Sequence, residues 1–256
     1  MNSIAERQKY ILGSLQKNGF VRISDLAARL GVTMVTIRKD IKDLEQEGLL
    51  YKVHGSARLA DPHVPDLDLN TKENINRELK HRIGRRAVEL VNDNDSIIVA
   101  SGSTIYAFME EFLANPKSNI NVVTPFLRLG MLLSGSDNVH IVQLGGSVHK
   151  KSLSVVGEKT SRDLDDCICS KVFFGVDGLD LEHGVTTSTI EEAQLTRKMM
   201  QSASQSIVLA DSSKFGQRGF GRICRLEDID VIITDSGISC QMKSDTEEAG
   251  VDLIIV

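Results

Sequence analysis

The chain has 256 residues, 41% hydrophobic and 25% charged, with a formal net charge of −5, a composition ordinary for a globular protein of one large or two smaller domains. No apolar run approaches the roughly 20 residues of a membrane span, and the N-terminal MNSIAERQKY has no apolar signal core, so the expectation is a cytoplasmic chain with no membrane partner. Four cysteines, two of them only a Cys167-x-Cys169 pair, are too few for a disulfide framework and show no zinc spacing. Reduced thiols, no metal and no cofactor are expected.

The charge is unevenly spread. Residues 1–60 hold ten Lys or Arg against six Asp or Glu, a net +4, and the rest hold 20 against 29, a net −9. A basic head on an acidic body implies two domains with different partners. Pro62 and Pro65, in ADPHVPDLD, bias the residues before them away from helix. Residues 61–74 therefore read as an extended linker between a 1–60 domain and a 75–256 domain.

In the head, Ser3 followed by Glu6 has capping-box spacing. Ile4, Ile11 and Leu15 recur at helical spacing, and Asn18-Gly19 ends that helix. Ile23, Leu26, Ala27 and Leu30 define a second short helix, capped by Ser24 or Asp25 and stopped by Gly31. Thr33 caps a third helix whose buried stripe is Ile37, Ile41 and Leu44, and Gly48 ends it. Helix, short helix, Gly turn and helix is the helix-turn-helix order. LLYKVHGSARLA then reads as a hairpin, or wing, around His54-Gly55.

The third helix leaves Thr33, Val35, Thr36, Arg38, Lys39 and Lys42 off its buried face. Arg38 suits a bidentate contact with guanine, and Val35 or the Thr36 methyl suits a thymine methyl. Lys39, Lys42, Lys52 and Arg58 suit phosphate contacts, which hold register without reading sequence. Taken singly, each is equally a solvated surface residue; in this order they describe a reader of double-stranded DNA. Asp40 is assigned to an internal ion pair with Arg38 or a neighbour, because a carboxylate repels phosphate.

The run Arg7-x3-Ile11-x3-Leu15-x17-Thr33-x2-Thr36-Ile37-Arg38-Lys39-Asp40-Ile41 resembles the signature of the DeoR family of bacterial transcriptional regulators. The resemblance implies a winged helix-turn-helix that binds operator DNA.

In the body, residues 75–91 read as a helix. Apolar β-rich runs then alternate with helical stretches. The strands are Ser96–Ala100, Ile120–Thr124, His140–Leu144, Val172–Val176, Ile207–Ala210, Val231–Thr234 and Leu253–Val256. The helices cover 103–114, 125–134, 189–203 and 239–248. Near-continuous apolar strands are buried on both faces, hence a mainly parallel, doubly wound α/β sheet. Ligands of such sheets bind at the C-terminal ends of strands.

Five such ends carry small, hydroxyl-bearing or charged residues. Ser101-Gly102-Ser103-Thr104 opens a helix directly after a strand, as an anion site does, although a plain strand-to-helix turn with a Ser/Thr cap has the same appearance. Gly145-Gly146 fits either a ligand loop or an ordinary turn. Asp177 follows the fourth strand, Thr186-Thr187-Ser188 leads to Glu192, and Lys214 lies just past Ala210. The segments ASGST, LGGSVHKKSLSVVG, KVFFGVDGLD…GVTTSTIEEA and VLADSSKFG resemble the DeoR-family effector domain, itself similar to ribose-5-phosphate isomerase. That resemblance implies a sugar-phosphate effector with its phosphate on Ser101–Thr104 and its sugar side lined by Asp177, Glu192, Arg197 and Lys214. Three positions depart from the family pattern: Ala100 stands where it has Asp, Ser103 where it has Thr, and Pro125 where it tends to Asn.

The leading reading is a non-enzymatic regulator of a carbohydrate operon, acting as a homodimer or homotetramer because paired half-sites require a symmetric oligomer. The alternatives are an isomerase-like enzyme with Glu192 as general base and a DNA-binding protein with an empty sensor. Arg38→Ala is expected to cost about 1–3 kcal/mol of affinity and relax sequence preference. Lys39→Ala and Lys42→Ala should weaken all duplexes alike and flatten the salt dependence. Anisotropy titrations on matched and scrambled duplexes at two salt concentrations separate these outcomes.

Overall fold

The computed structural model describes residues 3–18, 20–46, 50–53, 56–59, 64 and 66–256, with the side chains of residues 16, 17, 46, 51–53, 58 and 59 outside that description. Gly19, Gly48, His54, Gly55, Pro62 and Pro65, each singled out above, also lie outside it. The chain forms two compact units, Met1–His63 and Val64–Val256.

The first unit runs α1 (Ile4–Asn18), β1 (Phe20–Arg22), α2 (Ile23–Leu30), α3 (Met34–Gln46), β2 (Leu50–Val53) and β3 (Ser56–Leu59). The capping box forms as the spacing requires: Glu6 N donates to Ser3 Oγ at 3.2 Å and Ser3 N to Glu6 Oε2 at 3.4 Å. Thr33 caps α3 by accepting from Thr36 N at 3.2 Å. Ile11, Leu15, Ile23, Leu26, Ile37, Ile41 and Leu44 form the core. The wing is present, with β2 antiparallel to β3 and β1 added on the far side of β3.

Three expectations for the head need correction. Neither Ser24 nor Asp25 caps α2; β1 runs straight into the helix, so extended Arg22 holds the N-cap position. Ile4 is 53% exposed, because the buried stripe of α1 starts one turn later, at Arg7. Asp40 pairs with Arg7, not Arg38: Arg7 Nε donates to Asp40 Oδ2 at 2.7 Å and Arg7 Nη2 to Oδ1 at 3.0 Å. Asp40 is buried beside Ile37, Ile41 and Leu44, and residues two apart on a helix do not face each other. Arg38 is exposed.

The second unit begins with α4 (Leu69–Asn74), α5 (Arg77–Val88), β4 (Ser96–Val99), α6 (Ser103–Ala114), β5 (Ile120–Thr124), α7 (Leu127–Leu133) and β6 (Val139–Gln143). It continues with β7 (Ser147–His149), β8 (Ser154–Val156), α8 (Glu158–Asp163), β9 (Cys169–Gly175), β10 (Gly178–Asp180), β11 (Gly184–Thr187) and α9 (Ile190–Gln201). It closes with β12 (Ala203–Leu209), β13 (Gly221–Cys224), β14 (Val231–Thr234), α10 (Cys240–Glu248) and β15 (Asp252–Ile255). All seven expected strands lie in one parallel sheet, ordered β15-β14-β12-β9-β4-β5-β6.

Successive strand residues enter opposite cores. Ile97, Val99, Phe173, Ile207 and Ile233 pack on one face, and Ile98, Val172, Phe174, Val208 and Ile232 on the other. This double burial is why the strands read as unbroken apolar runs. The hairpin β7–β8 and the antiparallel sheet β10-β11-β13 escaped the sequence reading, since their three- and four-residue strands carry no apolar run. Residues 61–74 are not linker throughout. Residues 69–74 form α4, which Asp68 caps by accepting from Thr71 N at 3.0 Å and which buries Leu69. The helix expected from residue 75 starts at Arg77, because Asn76 sits at φ 54°. No helix among the described residues is long and apolar enough to cross a membrane.

Helices α5 and α6 cross at Gly84, where an added Cβ would lie 2.8 Å from the Phe108 backbone N and Cα. Phe108 in turn packs on Phe173, ring centroids 4.7 Å apart. Alanine's helix-propensity advantage over glycine is about 1 kcal/mol, whereas overpacking a dense core costs about 1–3 kcal/mol. Gly84→Ala is therefore expected to lower stability, read as a reduced urea midpoint.

Candidate functional site

The chain order through the large sheet reverses beside β4. From β4 it moves outward through β5 to β6, returns to β9 on the other flank of β4, and moves outward through β12, β14 and β15. In open α/β sheets the ligand crevice lies at such a switch point, outside the C-terminal strand ends. Here an open cleft occupies that place. The turn after β4 brings Ser101, Gly102, Ser103 and Thr104 into it, the end of β9 brings Asp177, α9 brings Glu192, and the turn after β12 brings Lys214.

The turn after β4 is not an ordinary capped helix start. Gly102 holds the N-cap position of α6 at φ 134°, ψ 159°, and no side chain caps the helix. Ser103 and Thr104 are the first two helical residues and are buried. A helix N-terminus without a side-chain acceptor presents its first amides and its positive dipole end to whatever occupies the cleft, the arrangement suited to a phosphate.

Asp177 is 7% exposed and has three partners. Lys72 Nζ donates to its Oδ1 at 2.8 Å, and Ser188 Oγ and Thr187 Oγ1 donate to Oδ2 at 2.5 and 3.3 Å. Burial pushes this carboxyl up, but Lys72 and Ser188 together outweigh it and hold it below the ordinary carboxylate value of 3.8. Behind the cleft, buried Lys80 donates to Ile75 O at 2.6 Å and to Lys72 O. Burial lowers its ammonium to about 8, with Lys214 and Lys72 adding repulsion that Asp211 opposes. Lys214 has no ion-pair partner among the described residues. Glu192 lies 3.5 Å from His149 Nδ1, and its backbone N donates to the cap residue Thr189 at 3.2 Å. Together these groups suit a ligand with an anion at one end and hydroxyls at the other.

Three assigned residues stand elsewhere. Arg197 does not reach this cleft; it lines a second, polar hollow with Glu158, Ser161 and Glu191. Five residues after Glu192, it projects about 140° around α9 at the helical 100° per residue. Gly145 and Gly146 are absent from the cleft lining and stand against Thr160 of α8. Thr160 Oγ1 donates to Gly145 O at 2.8 Å, and a Cβ on Gly146 would stand 2.1 Å from that hydroxyl. Sequence reasoning missed Lys72 because its segment read as linker, and Lys80 because it read as one of several basic residues on an amphipathic helix. Burial raises two of the thiols, Cys169 to about 11 and Cys224 to about 12, which disfavours their thiolate forms.

In the head, Val35 is 71% exposed, Thr33, Arg38, Lys39 and Lys42 are exposed, and Thr36 is half-buried. Arg38, Lys39 and Lys42 form no ion pair among the described residues, so α3 presents three exposed cations over its first nine residues. Lys52 and Arg58 stand on β2 and β3, and their side chains lie outside the described residues.

A helix-turn-helix with a wing, joined to an α/β unit with a polar cleft at its switch point, is the architecture of a DNA-binding regulator with a sensor domain. The family model for the DeoR C terminal sensor domain matches residues 75–236, and that for the DeoR-like helix-turn-helix domain matches residues 7–63. The chain belongs to the DeoR family of transcriptional regulators. It is similar to the uncharacterized HTH-type transcriptional regulator YulB of Bacillus subtilis, 32% identical over 235 residues, 92% of this chain and 90% of that protein. It is also similar to the lactose phosphotransferase system repressor of Streptococcus mutans serotype c, 31% identical over 233 residues, 90% of this chain and 91% of that one. Ribose 5-phosphate isomerase A of Methanocaldococcus jannaschii overlaps 55% of each chain at a TM-score of 0.40 and 19% identity, a likeness too slight to bear on activity. Family membership sets the isomerase-like reading aside: this is a regulator, not an enzyme.

Asp177 stabilises the native state at neutral pH because its native pKa lies below the unfolded value, and that contribution is lost as pH falls through the native pKa. Asp177→Asn should lower stability at neutral pH and flatten the acid dependence below about pH 4, by at most one proton's worth, about 1.4 kcal/mol per pH unit. Urea melts from neutral pH down to about pH 3 check both.

Proposed function

We propose that this protein is a repressor of a carbohydrate operon whose hold on operator DNA is set by a phosphorylated sugar in the switch-point cleft. The observation that carries the reading is the uncapped N-terminus of α6, facing the same cleft as unpaired Lys214 and the buried carboxylate of Asp177. The helix end and lysine suit a phosphate, and the carboxylates suit sugar hydroxyls. The similarity to the S. mutans lactose phosphotransferase system repressor supports the same class of pathway.

DNA contact falls to α3, with Arg38 and Val35 at base edges and Lys39 and Lys42 at phosphates. Lys52 and Arg58 of the wing add further phosphate contacts. Two heads meeting paired half-sites require a symmetric oligomer, a dimer or tetramer formed through the second unit. The ligand acts by binding the two DNA-affinity states unequally.

A thermal-shift screen tests the reading. Ribose 5-phosphate, glucosamine 6-phosphate and other phosphosugars are compared with inorganic phosphate, since a ligand bound only to the native state raises Tm. At least one phosphosugar is expected to raise Tm and to change binding to the DNA upstream of the protein's own gene. Ser103→Glu, which puts a carboxylate where the phosphate should sit, is expected to abolish that shift while leaving operator binding intact. An unaltered shift in Ser103→Glu excludes the β4–α6 turn as the phosphate site.

A further inference from the structure

The segment that leads out of the first unit does more than connect. Val64 opens the second unit, and α4 follows within five residues. One side chain of α4 enters the cleft: Lys72, whose Nζ lies 2.8 Å from Asp177 Oδ1. The C-terminal end of α4 is held from the same place. Lys80 donates to the carbonyls of Lys72 and Ile75, and Asn76 Nδ2 donates to Asp211 Oδ1 at 3.0 Å. Asp211 and Lys214 belong to one short turn after β12. Away from the cleft, α4 is held by buried Leu69 and by a Glu73–Arg128 ion pair. Ile75 is 46% exposed, so the end of the segment has little apolar anchorage.

A six-residue helix is too short to be stable alone in water. Its seating depends on these contacts, and the innermost one sits where the proposed ligand's hydroxyls belong. Resting on the phosphosugar reading, we infer that Lys72 is the residue through which the cleft reports its occupancy to the segment joining the two units. A hydroxyl donating to Asp177 takes the place of Lys72 Nζ, and α4 loosens from the cleft wall. The ligand then has the differential interaction that any switch requires, and it is delivered to the residues directly continuous with the DNA-binding head.

The test uses the full chain, with hydrogen exchange of residues 66–76 and operator anisotropy read side by side. Lys72→Met is compared with wild type and with Lys72→Arg, which keeps the cation for Asp177; Lys72→Gln replaces Lys72→Met should the latter fold poorly. Without ligand, Lys72→Met is expected to exchange at least about tenfold faster over 66–76, and to bind operator with the affinity of phosphosugar-saturated wild type. Lys72→Arg should behave as wild type. Phosphosugars should still raise the Tm of Lys72→Met, since Ser101–Thr104 and Lys214 remain, but should no longer change its exchange or its operator affinity. Wild-type exchange and operator affinity in ligand-free Lys72→Met would overturn the inference, and so would an undiminished ligand response. If no phosphosugar shifts the wild-type Tm, the proposed function fails, while the ligand-free comparison still decides the role of Lys72.

Discussion

Seven strands running the same way force every strand-to-helix turn of the large sheet to one edge, where α6 and α7 pack on one face and α9 and α10 on the other. Between β4 and β9 the direction of travel through the sheet reverses, and the helices on either side diverge. The gap this leaves cannot be closed by packing, because the turns that border it begin on different faces. Small residues fill the β4 side of the gap and a buried carboxylate fills the β9 side. The position of the cleft follows from topology, and only its chemistry from the side chains placed there.

The buried charges around the cleft depend on one another. Asp177 would be costly to bury alone, and it stays ionised because Lys72 and two hydroxyls face it. Lys80, just behind, gives up part of its basicity to burial and to the neighbouring lysines. It spends its protons on the backbone carbonyls at the end of α4. The arrangement ties the C-terminal end of α4 to the interior of the sensor by polar bonds, while Leu69 anchors its start in the apolar core. Polar bonds of this kind are open to competition from a polar ligand, whereas the Phe108–Phe173 contact in the apolar core is not.

Much of the fold was legible because its physics is periodic. The inner strands carry unbroken apolar runs, Ile97–Val99 in β4, Val172–Phe174 in β9, Ile207–Leu209 in β12 and Val231–Ile233 in β14, as double burial demands, and each sheet strand was found to within a few residues. Helices α3, α6, α9 and α10 announce themselves through Thr33, the strand-to-helix turn at Gly102, Thr189 and Ser239. The short strands β7, β8, β10, β11 and β13 were missed, since an antiparallel ladder of three or four residues with glycines carries no period. Helix α4 was lost to the proline rule, which is a statement about the residues before Pro62 and Pro65 and not about those beyond them.

The sequence by itself determined the basic helix-turn-helix, the parallel sheet and the residue types at the strand ends, because capping, periodicity and charge are local. Tertiary structure decided which of those residues meet. It matched Asp40 to Arg7 across 33 positions of sequence and sent Arg197 to the far side of α9. It set Gly145 and Gly146 against Thr160, and it brought Lys72 across 105 positions to Asp177. The Asp40–Arg7 and Lys72–Asp177 pairings depend on how elements stack in space, and no spacing along the chain encodes them.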